Sequence, residues 1–208
     1  MTTHSFTCLS LSPSGLAHPG LAVATVRAGG IGCLDLEFTP PGDRPQVEQN
    51  FQQLLTLVKP TDAVGLRLRV DQLSGYLDLL EGLHDRPHWL ILAAWTSDSL
   101  PTALATLPPT SMARHLLVEV TAVAAVQSLL NQPLKIDGLV ARGHESGGWV
   151  GEDAAFILTQ KLLNTGTWPV YVQGGIGIHA AAACRAAGAA GVVLDDQLWL
   201  MPESPPAC

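Results

Sequence analysis

The 208 residues carry 11 Lys and Arg against 18 Asp and Glu, a formal net charge of −7. The three lysines, Lys59, Lys135 and Lys161, do not cluster, so the chain lacks the basic face that neutralises nucleic-acid phosphates. Hydrophobic residues make up 47 % and charged residues 14 %, which excludes a disordered chain and, with 20 glycines and 15 prolines, implies buried strands separated by many turns.

No apolar run reaches the roughly 18–20 residues of a membrane span. The start, MTTHSFTCLS, lacks the basic opening of a secretory signal, so a cytoplasmic protein with one large core is expected. Cys8, Cys33, Cys184 and Cys208 stand far apart and read as thiols of a reducing compartment, with no metal role.

SFTCLSLSP forms the first predicted strand, ending at Pro13. Residues 16–29 predict a helix with Leu21, Ala24, Thr25 and Ala28 on one stripe, stopped by Gly29 and Gly30. IGCLDLEF is the second strand. Residues 46–59 place Val47, Phe51, Leu54, Leu55 and Val58 at helical spacing, Pro60 ends that helix, and AVGLRLRV is the third strand. The phrase then repeats: helix 73–84 and strand 89–95, helix 99–107 and strand 115–120, helix 121–131 and strand 138–144. It continues with helix 151–165, opened by Glu152 and Asp153, and strand 169–175, then helix 177–187 and strand 190–196.

Eight strands alternating with seven helices imply parallel strands joined by right-handed crossovers. They predict a compact α/β fold, a (β/α)8 TIM barrel over residues 1–199. An open doubly wound sheet is the alternative, although it usually holds fewer strands at this length. The last helix is missing, and residues 200–208, LMPESPPAC, read as a linker-like tail. The uncovered barrel wall invites a neighbouring domain or, in a homodimer, a second copy.

In such a barrel the chemistry sits at the C-terminal strand ends. Those ends hold Ser12 and Ser14, Asp35 and Glu37, Arg67 and Arg69, Trp95, Glu119, Arg142, His144 and Glu145, Gln173, and Asp195 and Asp196. Two readings stay open. Either Arg67, Arg69 or Arg142 neutralises Glu37, Glu119 or Asp195 in a satisfied network, or the charges act on a ligand.

The central stretch is GLVARGHESGGWVG (138–151), a strand feeding a Gly-rich loop. His144 is a candidate general acid or base with Glu145 orienting it, or a histidine bonded to a neighbouring strand end. Trp149 offers a stacking face for a planar ligand, or plugs the mouth. VQGGIG (172–177) sets backbone N–H groups at a helix start, which suits an anionic oxygen, against a plain tight turn. Asp195 and Asp196 follow the eighth strand, where an inward carboxylate would repel a phosphate.

Three segments together resemble the flavin-dependent barrels of the nitronate monooxygenase (2-nitropropane dioxygenase) family, which includes the FMN enoyl-acyl carrier protein reductases. They are SPSGLAHPGLAVATVRAGGIGCL (12–34), GHESGGWVG (143–151), and PVYVQGGIG followed by AAGAAGVVLDDQL (169–177 and 186–198). Residues 45–135 match only in strand order. The likeness extends to the barrel domains embedded in polyketide and polyunsaturated fatty acid synthases, whose neighbouring domains or acyl carrier protein would be partners.

The resemblance implies FMN held by backbone groups of Ser12, Ser14 and Gly15, with its phosphate at Gly174, Gly175 and Ile176. A substrate would lie over the flavin near Gly147 and Gly148, in a pocket with Arg142, Trp149, Gln173 and Glu119. A hydride would then pass between FMN and an acyl thioester, His144 and Glu145 handling protons. The chain departs from the family twice. The family's catalytic histidine falls on Trp149, which cannot exchange a proton at neutral pH, and its Gly-Thr after strand eight falls on Asp195 and Asp196.

Two other readings stand beside this one: a degenerate barrel without flavin that serves as scaffold or docking domain, and a flavin-free acid–base enzyme on an acyl chain using His144, Glu145 and Arg142. An inward carboxylate at the phosphate site, or a Trp149 ring in the mouth, favours the scaffold. An open cleft bounded by Ser14, Gly147 and Gly175 favours the flavin.

Overall fold

The structure is a computed structural model that describes residues 6–110 and 112–205. Cys208, the end of the tail and the first residue of the predicted opening strand lie outside those residues. Eight strands form in chain order: β1 (Thr7–Leu11), β2 (Ile31–Asp35), β3 (Val64–Arg69), β4 (His88–Ala93), β5 (Arg114–Val120), β6 (Gly138–Arg142), β7 (Val170–Gln173) and β8 (Gly191–Leu194). Each pairs in parallel with the next, and β8 pairs with β1, closing the barrel. Seven α-helices separate them: α1 (Gly20–Arg27), α2 (Arg44–Leu57), α3 (Leu77–Glu81), α4 (Ser99–Ala105), α5 (Ala124–Leu130), α6 (Ala155–Leu163) and α7 (Ile178–Ala187).

Alternation gives each strand an inner and an outer face. The inner face packs Leu9, Leu11, Cys33, Trp89, Ile91, Leu117, Val140, Tyr171 and Val193 into one buried cluster. The Tyr171 ring is accommodated by missing side chains. A Cβ on Gly191 would strike the Tyr171 ring, and one on Gly138 would press on both Leu117 and Tyr171. Trp89 stacks on His115 at 4.5 Å and meets Tyr171 edge-on at 5.6 Å. Small and large residues thus alternate around the lower barrel at interior density. The outer faces pack with the helices into a second cluster containing Leu34, Leu66, Leu90, Val118 and Leu139.

Apart from α2, which keeps its predicted length but starts two residues earlier, the helices are shorter than periodicity predicts, for local reasons. Pro19 sits at the N-cap of α1, so the helix begins at Gly20 and the preceding residues turn, with Ala17 at φ 48°. Residues 70–76, around Gly75, form a 3-10 helix before the short α3. Glu152 and Asp153 do not open α6. The helix starts at Ala155, and Asp153 instead pairs with Lys161 at 2.7 Å.

No α-helix follows β8 among the described residues. A 3-10 turn (Asp196–Leu200) replaces it, and the Glu203 carbonyl comes to rest against Gly20 at the start of α1. The lower outer wall of β1 stays open, leaving Cys8 exposed while Cys33 and Cys184 are buried. No helix of the described residues is long and apolar enough to cross a membrane. Burial, with Asp35 adding to it against Arg67, pushes the Cys33 thiol up to about 12. In a Cys208→Ser background, iodoacetamide at mildly alkaline pH should therefore alkylate Cys8 in the native protein and Cys33 and Cys184 only after unfolding, as read by mass spectrometry. Native-state modification of Cys33 would contradict its place inside the barrel.

Candidate functional site

The upper layer of the barrel interior is ionic. Arg67, 1 % exposed on β3, reaches Asp35 at 2.8 Å, Glu37 at 2.6 Å and Glu119 at 2.5 Å. Asp35 stands directly opposite Arg67 in the β2–β3 register, so the pair is a consequence of strand alignment. Arg142, at the end of β6, adds contacts to Glu37 at 3.2 Å and Glu119 at 3.1 Å and donates to the Gly147 carbonyl. Of the two open readings, mutual neutralisation is therefore observed for Arg67 and Arg142 with Glu37 and Glu119, with Arg142 Nε left buried and unpartnered. Arg69 lies outside it, paired with Asp71.

The network sets its own protonation. Burial alone would lower the pKa of Arg67, but Asp35, Glu119 and Glu37 together raise it well above the ordinary arginine value. Burial would likewise raise Glu119, yet Arg67 and Arg142 outweigh it and hold that carboxyl below its usual range. Asp195 moves the other way. It is 8 % exposed, burial raises its pKa, the Gln173 hydrogen bond opposes this and Asp196 reinforces it.

The residues predicted to hold cofactor and substrate fall into three separate hollows. A mouth cavity of about 220 Å³ is lined by Ser12, Ser14, Arg142, Gly147, Gly148 and Gln173, together with Asp35, Asp195 and Asp196. Glu119, Arg142 and Trp149 line a second hollow of about 380 Å³ beside the ends of β4 and β5. Gly174, Gly175, Ile176 and Glu145 line a third, of about 430 Å³, between α6 and α7 with Phe156 and Cys184. Gly15, at φ 79°, backs onto the Phe38 carbonyl and lines none of the three.

Within the mouth, the Ser12 hydroxyl accepts the Asp35 N–H at 2.9 Å, while the Ser14 hydroxyl oxygen is buried without a partner. His144 is exposed, its ring makes no hydrogen bond among the described residues, and its backbone N–H donates to the Asp153 carbonyl at 3.0 Å. Glu145 does not meet His144. Its carboxylate accepts the Ala155 N–H at 2.8 Å and caps α6. Trp149 is 68 % exposed, so it walls the second hollow and does not plug the mouth.

The rim of the mouth holds two aromatics that sequence reasoning missed, Phe38 and Trp199. Phe38 reads as the last residue of a strand and Trp199 as the last residue of the barrel before the tail, and 160 residues separate them. Only barrel closure makes them neighbours of one cavity.

The loops after β7 and β8, which grip phosphate in many barrels, are tied to each other. Gln173 donates to Asp195 at 3.0 Å, and Gln197 donates to the Ile176 carbonyl at 2.7 Å. Gly174 and Gly175 keep left-handed φ values of 111° and 62° ahead of α7. The residues present do not fit FMN. The mouth cavity is smaller than the roughly 300 Å³ at which ligand pockets usually begin. The glycines of the expected phosphate loop face a different hollow, and Asp195 and Asp196 stand in the mouth.

No protein-family model and no curated protein sequence matches the chain. Its fold is similar to that of FabK from Thermotoga maritima, with TM-score 0.75 and 20 % identity over 97 % of this chain and 61 % of that one. It is also similar to the enoyl reductase domain of MlnA from the macrolactin biosynthesis cluster of Bacillus amyloliquefaciens, with TM-score 0.70 and 14 % identity over 98 % of this chain and 56 % of that one. TrpF from Jonesia denitrificans gives TM-score 0.60 and 16 % identity over 97 % and 91 %. The chain thus spans about three fifths of the two longer relatives' structures. These likenesses establish the barrel fold.

Glu119 is held below its usual pKa, so its contribution to stability is full above the unfolded carboxyl value and lost as the pH falls through the folded one. Asp195, raised by burial, has the opposite sign and weighs against the fold as the pH rises past its pKa. Replacing Arg67 by Leu should cost about 3–5 kcal/mol near neutrality, because it strands Asp35 and leaves Glu37 and Glu119 to Arg142 alone. The defect should shrink near pH 4, because Glu119, no longer lowered by Arg67, takes up a proton more readily in the variant. Urea unfolding of both proteins at the two pH values checks this, and an equal defect at both would show that Arg67 acts by packing alone.

Proposed function

We propose that this chain is a barrel of the flavin-oxidoreductase type whose mouth has been given over to an internal ion network. In this reading it serves a polyketide- or fatty-acid-type synthase in the cytoplasm as a docking domain. The observation that carries the reading is Asp195, a buried carboxylate turned into the mouth and bridged by Gln173 where the phosphate grip of such a barrel would be. A phosphate beside that carboxylate would be strongly repelled in a site of low dielectric.

The docking half is supported by apolar side chains at the same end of the barrel. Leu16 (54 % exposed), Trp149 (68 %) and Leu200 (93 %) lie in the segments that follow β1, β6 and β8 and leave large apolar side chains in solvent. Neighbouring synthase domains, an acyl carrier protein or a second copy are the partners such a rim would take. A Trp149→Ser, Leu200→Ser variant should keep its circular dichroism and unfolding midpoint but lose association with flanking synthase domains on gel filtration.

A second reading keeps the enzyme. It is favoured by the left-handed glycines at Gly174 and Gly175 and by the likeness to an enoyl reductase domain. In that reading FMN is bound and His144, which is exposed and unengaged, handles a proton for an acyl thioester. The visible spectrum of the purified protein, repeated after adding FMN and removing the excess by gel filtration, separates the two. The docking reading expects a colourless protein in both cases. A retained flavin spectrum would overturn it and direct mutation to His144 and Gly175.

A further inference from the structure

The mouth cavity has a chemistry of its own. Five carboxylates, Asp35, Glu37, Glu119, Asp195 and Asp196, share this end of the barrel with the guanidiniums of Arg67 and Arg142. Asp35, Glu37 and Glu119 take up both guanidiniums except Arg142 Nε, which is buried without a partner, and among the described residues no cation contacts Asp195 or Asp196.

Acidic excess alone would not make a site, but a second observation does. Gln173 is 2 % exposed and lines the cavity, and its Oε1 is buried with no hydrogen-bond partner. Its amide orientation is fixed because Nε2 donates to the Asp195 carboxylate, so Oε1 remains as an acceptor awaiting a donor. The Ser14 hydroxyl, buried and unpartnered on the same wall, adds another acceptor. An orphaned buried acceptor costs free energy unless something donates to it.

The rim completes the pattern. Phe38 and Trp199, 41 % and 44 % exposed, flank the opening, and aromatic faces attract cations. Aromatic rings beside carboxylates suit an organic cation, and among the described residues no group of three or more His, Cys, Asp or Glu is arranged to hold a metal ion. The volume of about 220 Å³ limits that cation to a small one.

We propose that the barrel mouth binds a primary ammonium group, which donates to Gln173 Oε1 and the carboxylates of Asp195 and Asp196 beneath the rings of Phe38 and Trp199. The group belongs either to a free small amine or to a lysine side chain presented by another protein. The inference does not need the docking reading, though both require that the mouth exclude an anionic flavin. Retention of FMN would sink both, whereas a protein that binds neither FMN nor an amine would sink this inference alone.

Calorimetric titration of the full chain with n-propylammonium, N-acetyl-lysine methylamide, propionate and FMN tests it. Saturable binding of n-propylammonium is expected, with none for propionate or FMN. Comparable binding of the lysine derivative identifies a protein side chain as the source, and its failure beside n-propylammonium identifies a free amine. Asp195→Asn, which keeps an acceptor for Gln173, should weaken binding roughly tenfold or more, the scale of one lost charged hydrogen bond. Asp196→Asn, at an exposed position that leaves folding intact, should weaken it as well. No binding of either amine, or binding that both variants leave unchanged, would overturn the assignment.

Discussion

Arg67 is the constraint on which the upper half of the barrel depends. A guanidinium 1 % exposed cannot shed its proton at any ordinary pH, so the chain must surround it with carboxylates or forgo burial. Asp35 and Glu37 come from β2 and the residues just past it, and Glu119 comes from β5, so one side chain fastens strands that are far apart in sequence. Arg142 ties the same carboxylates to β6. Replacing such a cluster by hydrophobic residues is often neutral or stabilising, so its presence is not explained by stability alone. What it does impose is geometry: the strand ends are held in one register and charged side chains occupy the upper layer of the barrel interior.

That geometry propagates into the loop that looked most chemical. The GHESGG segment is anchored from below, because Arg142 donates to the Gly147 carbonyl, and from the side, because Glu145 caps α6. Glu145 of the segment and Arg142 just before it are thereby spent on fastening it. His144 is left outside, exposed and without a carboxylate to orient it. The capping could not be read from spacing, since Glu145 lies ten residues before the N–H it satisfies and Glu152 and Asp153 sit closer in sequence to the helix start. A loop that doubles back places the distant carboxylate nearer in space.

The alternation of apolar strands and helices was legible because period and punctuation are local properties. Buried runs such as WLILAAW and HLLVEV cannot be solvent-facing, and prolines and glycines mark their ends. The site was legible only in part. Strand order placed Ser12, Asp35, Glu37, Arg67, Glu119, Arg142, Gln173 and Asp195 at one end of the barrel, where they are buried, but it set them beside Arg69, His144 and Glu145 without choosing which point inward. It could not say which hollow each residue lines. Whether Gly174 faces the mouth or the groove between α6 and α7 depends on the path of a few loop residues, and those are set by Gln173 and Gln197 binding across to their neighbours.

The glycine pair after β7 shows why a motif can outlast its ligand. Gly174 and Gly175 turn the chain from β7 toward α7 at φ values of 111° and 62°, which side chains rarely tolerate, and a Cβ at Gly174 would meet the Ser146 hydroxyl at 2.7 Å. Both demands come from the fold and persist whether or not an anion sits at the helix start. The residues that would answer to a phosphate directly are those after β8, and there the chain places two aspartates. Backbone motifs report the path of the chain, while the charges lining the mouth report what can enter. Where the two disagree, the charges decide the ligand, because a glycine permits a close approach and an unpaired buried carboxylate forbids an anion from making it.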